Sequence, residues 1–205
     1  MIPIQLQPEP TDFFAKVQQP GEIFLAKDPD PTTSQWNKHN YWKRVLDDLY
    51  AAYSGICAYS CHWISPDTGG KTVEHFKPKK KYPQYAYRWE NYRLVCGVLN
   101  GRKGEHEDVL DPFAIQEGWF VIDFSTLLVR PGPDISTPDA RLVESTINRL
   151  GLNDEATCLR TRTKWLLDYI EVPFPFSYLA RNAPFLASEL KRQNLVETIH
   201  EIIRY

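Results

Sequence analysis

The chain has 205 residues, 42% of them apolar and 24% charged, and a net charge of -2. Those proportions are ordinary for a globular chain and exclude a disordered tail, a collagen-like fibre and a small disulfide scaffold. No apolar run approaches the roughly 20 residues that cross a bilayer, and MIPIQLQPEP has neither the basic start nor the apolar stretch of a secretory signal. A cytoplasmic location with reduced cysteines is therefore expected, and no membrane partner.

Residues 1–34 carry PEP at 8–10 and DPDP at 28–31. Proline fixes φ and removes a donor, so an extended arm is expected here. Over 36–53, Trp42, Val45, Leu46, Leu49, Tyr50 and Tyr53 recur at helical spacing, and Gly55 follows where a helix ends. Residues 56–104 lose that period and carry turn signals at Ser65-Pro66-Asp67 and Gly69-Gly70. Residues 119–129 are β-branched and aromatic and predict one or two strands. Thr137 as cap, Pro138 in the first turn and Gly151 past the end bound a helix whose apolar face is Val143, Ile147 and Leu150. Two more helices are expected over 154–170 and 185–203, separated by the EVPFPF segment. The expected fold is α+β: a small centre within a mainly helical jacket, in three segments. These are a proline-rich arm and bracing helix (1–54), a core (55–112), and a strand pair with C-terminal helices (113–205).

Charge is unevenly spread. Residues 71–103 hold nine basic side chains and two acidic ones, a net +7, which leaves -9 for the rest of the chain. A basic island on an acidic body fits a phosphate-binding face, or a solvated lysine loop. Within it, Glu74 offers a hard carboxylate oxygen for a divalent ion. His75 offers an imidazole able to take a proton from water near neutral pH. Asn100 offers a second hard oxygen, with Arg102 and Lys103 beside it for phosphate.

Three pieces in order carry a family resemblance: Val73-Glu74-His75-Phe76-Lys77-Pro78, then Trp89-Glu90-Asn91-Tyr92-Arg93-Leu94-Val95-Cys96, then Asn100-Gly101-Arg102-Lys103-Gly104. Over residues 55–112 the chain resembles the HNH nucleases, the His-Me finger or ββα-metal group. ICAYSC, Leu110-Asp111-Pro112 and INRLGLN extend the resemblance to a bacterial subgroup that includes the nuclease component of Septu-type anti-phage systems, which works with an ABC-type ATPase. The resemblance implies a small ββα-metal core and a metal-dependent endonuclease that hydrolyses phosphodiester bonds. It implies His75 as general base, and Glu74 and Asn100 as ligands of one divalent ion, Mg²⁺ or Mn²⁺. Many relatives have Asp where this chain has Glu74. Asn91 would tie the loop to the strands and orient His75. Lys77, Lys79, Lys80, Lys81, Arg102 and Lys103 would contact nucleic acid, and the ATPase would be a partner. DNA is favoured over RNA, though phosphate contacts alone do not separate the two. A catalytically degenerate scaffold module is the rival reading.

Many relatives also carry a zinc knuckle of two CxxC pairs, which needs four ligands. Here Cys57 and Cys96 stand at the first position of each pair, while Ser60 and Leu99 stand at the second and Cys61 is one residue late. The thiols are therefore expected to pack as small hydrophobes. A rescued site from Cys57, Cys61 or His62, and Cys96 is the alternative. Cys158 is expected to pack within a helix. His39, His106 and His200 are expected at the surface, and Trp36, Trp42, Trp63 and Trp89 in the core.

Overall fold

The computed structural model describes residues 1–68, 70–172 and 174–202. Gly69 of the expected Gly-Gly turn, Pro173 of the EVPFPF segment and residue 203 at the end of the last expected helix lie outside the described residues. The described secondary structure is mostly helical, with two small two-stranded antiparallel sheets. The chain divides into two compact units, one of Gln5–Gly55 and Ile64–Glu107, the other of Met1–Ile4, Ile56–Trp63 and Asp108–Tyr205.

In the first of these units the N-terminal segment is helical, where an extended arm was expected. A π-helical turn, Phe14–Gln18, leads into α1, Gln19–Lys27. Pro20 has no N–H for the carbonyl of Lys16 four residues back. Arg44 Nη1 donates to that oxygen instead, at 2.9 Å. Phe13, Val17 and Phe24 are buried, and Phe13 meets Trp89 and Tyr92 edge-on, with centroids 5.6 and 5.9 Å away. Burying such side chains contributes about 1.5–3 kcal/mol each, enough to override the extended bias of nearby prolines.

The helix expected over 36–53 is divided. A capping box of Thr32 and Gln35 starts α2, Thr33–Lys38; a 3₁₀ segment, Tyr41–Val45, then leads into α3, Leu46–Ala52. At the break His39 stacks on Phe24 at 3.9 Å, and its Nδ1 lies 2.7 Å from the Tyr41 hydroxyl. His39 is thus half-buried, where a surface position was expected.

Strand β1, Lys71–His75, pairs antiparallel with β2, Tyr92–Cys96, in a register from Lys71↔Cys96 to His75↔Tyr92. Helix α4, Gly97–Lys103, follows β2 directly and ends at Gly104, whose φ of 48° favours glycine. Thr72 and Glu74, two apart on β1, share one face of the strand. Asn100 and Lys103, three apart on α4, share one face of the helix. Those two faces meet: Asn100 Nδ2 donates to Thr72 Oγ1 at 2.9 Å, and Lys103 Nζ pairs with Glu74 at 2.7 Å.

In the other unit, β3 (Phe120–Asp123) and β4 (Leu128–Pro131) form a hairpin. Helix α5, Thr137–Leu150, matches its expected span, but Ser136 is the cap where Thr137 was expected, with Oγ accepting from the Asp139 N–H. Gly151 closes the helix at φ 61°. Helix α6 is Cys158–Glu171, and α7, Phe176–Asn182, lies partly in the proline-rich stretch expected to separate helices. The helix expected over 185–203 is two pieces, α8 (Pro184–Arg192) and α9 (Ile199–Ile202), with Asn194 at φ 57° between them. Trp36, Trp42 and Trp89 are buried as expected, but Trp63 is 41% exposed. A bridge to Ile56 and a bond to the Asn182 carbonyl hold the Trp63 backbone and leave its indole partly outside. Among the described residues no helix is long and apolar enough to cross a membrane.

Candidate active site

His75 closes β1, and its ring is held on three sides. Trp42 meets it edge-on at 4.7 Å and Tyr92 edge-on at 5.3 Å. Nε2 lies 3.0 Å from the carbonyl oxygen of Ala86, which also accepts the Tyr92 hydroxyl at 2.9 Å. A carbonyl only accepts, so Nε2 carries the proton and Nδ1 of the neutral ring holds the lone pair. Burial pushes the imidazole down to about 3, and the Lys79 and Lys103 ammoniums push the same way against the Ala86 bond. The ring is neutral at pH 7 with its lone pair on Nδ1, and burial makes it a much weaker base than the near-neutral imidazole expected from the sequence.

Glu74 and Lys103 are 2% and 0% exposed. Besides the carboxylate, the Lys103 ammonium reaches the His75 carbonyl at 3.3 Å. Lys103, expected to meet phosphate, is enclosed instead. Asn100 Nδ2 donates to Thr72 and, at 3.4 Å, to the Val73 carbonyl. The amide nitrogen must face that carbonyl, which leaves Oδ1 as the side chain's acceptor.

Asn91 is buried at the start of β2. Its Oδ1 accepts from the Lys77 N–H at 2.8 Å, and its Nδ2 donates to the Lys77 and Tyr85 carbonyls, both at 3.1 Å. It therefore fixes both ends of the loop from 77 to 85. The contact that orients His75 comes from Ala86, one residue beyond the carbonyl that Asn91 holds.

Glu74, His75 and Asn100 line one open cleft of about 610 Å³, and Asn91 and Lys103 do not. Lys43, Lys71, Lys79 and Lys80 line it too, with Glu105 as the other acid. Lys79 sits over the Trp42 ring at 5.3 Å, and burial pulls its ammonium below the usual range, with Lys80 adding to the effect. Lys80 pairs with Glu105 at 2.6 Å, Lys81 pairs with Glu107, and Lys77 lies over the Tyr85 ring at 3.9 Å. Arg102 is half-buried on α4. Lys77, Lys81 and Arg102 are not among the cleft-lining residues. Lys43 and Lys71 also line the cleft, though nothing in the surrounding sequence marks them as site residues. Trp42 is a wall of the cleft, although its place in a helical apolar stripe marks it only as core.

Two hard oxygen donors, the Glu74 carboxylate and Asn100 Oδ1, suit Mg²⁺ or Mn²⁺, ions that take few side-chain ligands and complete their shell with water and phosphate. The Lys103 ammonium already compensates that carboxylate. Among the described residues, no group of three or more His, Cys, Asp or Glu side chains is placed to hold a metal ion. Cys57 and Cys61 are buried in one unit, while Cys96 ends β2 in the other. Burial raises the Cys61 thiol above its usual range.

The chain matches no family model. It is 32% identical over 79 residues to the Septu protein PtuB of Bacillus thuringiensis. That match covers 38% of this chain and 29% of the other protein, a distant and partial relation.

Proposed function

We propose that the chain is a metal-dependent endonuclease of the HNH type, hydrolysing phosphodiester bonds of DNA. One observation carries this: Glu74, His75 and Asn100 line one lysine-rich cleft, with His75 Nε2 bonded to Ala86 and Nδ1 left to accept a proton. Nδ1 takes a proton from water as the water oxygen bonds to phosphorus. The bond to the leaving strand then breaks, and the leaving oxygen is protonated from solvent. Glu74 and Asn100 would hold the divalent ion, which supplies charge stabilisation at phosphate oxygens when bound. Lys43, Lys79 and Lys80 would attract the phosphate backbone without reading sequence. Asn91 holds the loop that carries Lys79 and Lys80.

The relation to a Septu protein and the family resemblance support a role in anti-phage defence beside an ABC-type ATPase. Co-purification with such an ATPase tests that part. The Glu74–Lys103 pair favours a second reading, a module that binds nucleic acid and has lost cleavage, because the carboxylate already has a cation.

The test is cleavage of plasmid DNA, single-stranded DNA and tRNA with Mg²⁺, Mn²⁺ or EDTA, by wild type and His75→Ala, with and without the ATPase. Cleavage that needs both metal and His75 supports the proposal, and the substrate lanes separate DNA from RNA. Binding without cleavage in every lane overturns it in favour of the second reading.

A further inference from the structure

Lys103 has the most enclosed charge in the cleft's surroundings. It sits at the last turn of α4, three residues after Asn100, and both residues face β1. Its ammonium lies 2.7 Å from Glu74 and 3.3 Å from the His75 carbonyl, beside the Phe76 ring at 5.6 Å. A buried carboxylate without a counter-charge is costly, and a lysine delivers a compact, movable charge on a flexible stem. The pair is therefore a built feature of the site, and it involves the same carboxylate that a divalent ion would use.

We infer that Lys103 is an internal counter-cation, which holds the Glu74 carboxylate in place when no metal is bound and yields it when a divalent ion enters. The inference rests on the proposed metal role of Glu74 and Asn100. Lys103 is on this account a positioning residue that sets metal affinity: it preserves the site and competes for it. Two cations near one carboxylate repel each other, and the repulsion is strong in a poorly screened site.

The experiment is Mn²⁺ binding to wild type, Lys103→Met and Lys103→Arg, followed by electron paramagnetic resonance of free Mn²⁺ in mildly alkaline buffer, with circular dichroism as the check on folding. Lys103→Met is expected to bind Mn²⁺ about tenfold tighter or more, because a like charge is gone. Lys103→Arg, which keeps the charge, is expected to stay near wild type. A merely structural lysine predicts the reverse, weaker binding in Lys103→Met. Unchanged or weaker binding in a folded Lys103→Met overturns the inference while leaving the metal reading standing. Absence of Mn²⁺ binding in all three proteins overturns both the inference and the metal reading.

If Lys103→Met does not fold, wild type decides. The enclosed Lys103 ammonium should give a slowly exchanging ¹⁵Nζ resonance, and saturating Mg²⁺ should speed its exchange, with EDTA restoring it. A resonance unmoved by Mg²⁺, under conditions where Mg²⁺ raises the melting temperature, overturns the inference.

Discussion

The Nε2 atom of His75 lies 3.0 Å from the carbonyl oxygen of Ala86, and that contact selects which ring nitrogen can accept a proton. Ala86 is buried and its carbonyl is also bonded to Tyr92, so the acceptor cannot swing away. His75→Ala should therefore lose cleavage on the order of a hundred-fold or more while still binding DNA. Single-turnover rates beside a filter-binding isotherm check this. Equal rates for the two proteins would remove His75 from the chemistry.

Asn91 should matter to stability as well as to the site. Asn91→Ala deletes the partners of the Lys77 N–H and of the Lys77 and Tyr85 carbonyls at a buried position. Losses of that kind cost about 1–3 kcal/mol for each group left unsatisfied. A loss of a few kcal/mol in urea unfolding is expected, with Asn91→Asp intermediate because it keeps the acceptor for Lys77. A change below about 0.5 kcal/mol, the size typical of a surface substitution, would contradict the structural role.

The cleft lysines predict the salt response. Lys43→Ala and Lys80→Ala should each reduce the slope of log affinity against log salt by roughly one phosphate contact, with little dependence on DNA sequence. Lys81→Ala serves as the contrast, since Lys81, paired with an acid as Lys80 is, does not line the cleft. Equal slopes for all three would argue that nucleic acid does not enter here.

His62 gives the pH dependence of stability. Burial, with Arg162 adding to it, lowers its imidazole to about 3 from the ordinary value of 6.5. The unfolded chain therefore takes up a proton that the folded chain refuses between those values. Its contribution is complete above about pH 6.5 and is lost as pH falls toward 3, at up to about 1.4 kcal/mol per unit. His75 has the same depressed value and adds a second proton to the same window. His62→Gln should flatten the stability curve below pH 6.5 without removing the fall. An unchanged slope would show that His62 is protonated in the folded state.

Local signals made part of this molecule readable in advance. The span of α5 follows from a proline in the first turn, an apolar stripe and a closing glycine, all set by neighbouring residues. The β3–β4 hairpin overlaps the β-branched stretch 119–129 but runs two residues past it to Pro131, and Glu74, His75 and Asn100 stand out by residue type and order. The helix through residues 14–27 was hidden, because Pro20 signals a break. What permits it is Arg44 bonding the Lys16 carbonyl, 28 residues away. The periodic stripe over 36–53 predicts one helix, while the stacking of His39 on Phe24 that accompanies the break is a tertiary contact.

The sequence by itself determined which chemistries were present: a carboxylate, an imidazole and an amide within a basic segment. Only the tertiary structure decided how they are arranged. Lys103 looks like any other lysine of the basic island, and its enclosure depends on the face of α4 meeting the face of β1 across 29 positions of chain. Likewise the Ala86 carbonyl is a backbone atom, invisible to any reading of side chains, yet it determines which nitrogen of His75 is basic. Local periodicity is written in neighbours along the chain. Burial and pairing of charges are properties of surfaces that exist only once the elements have packed.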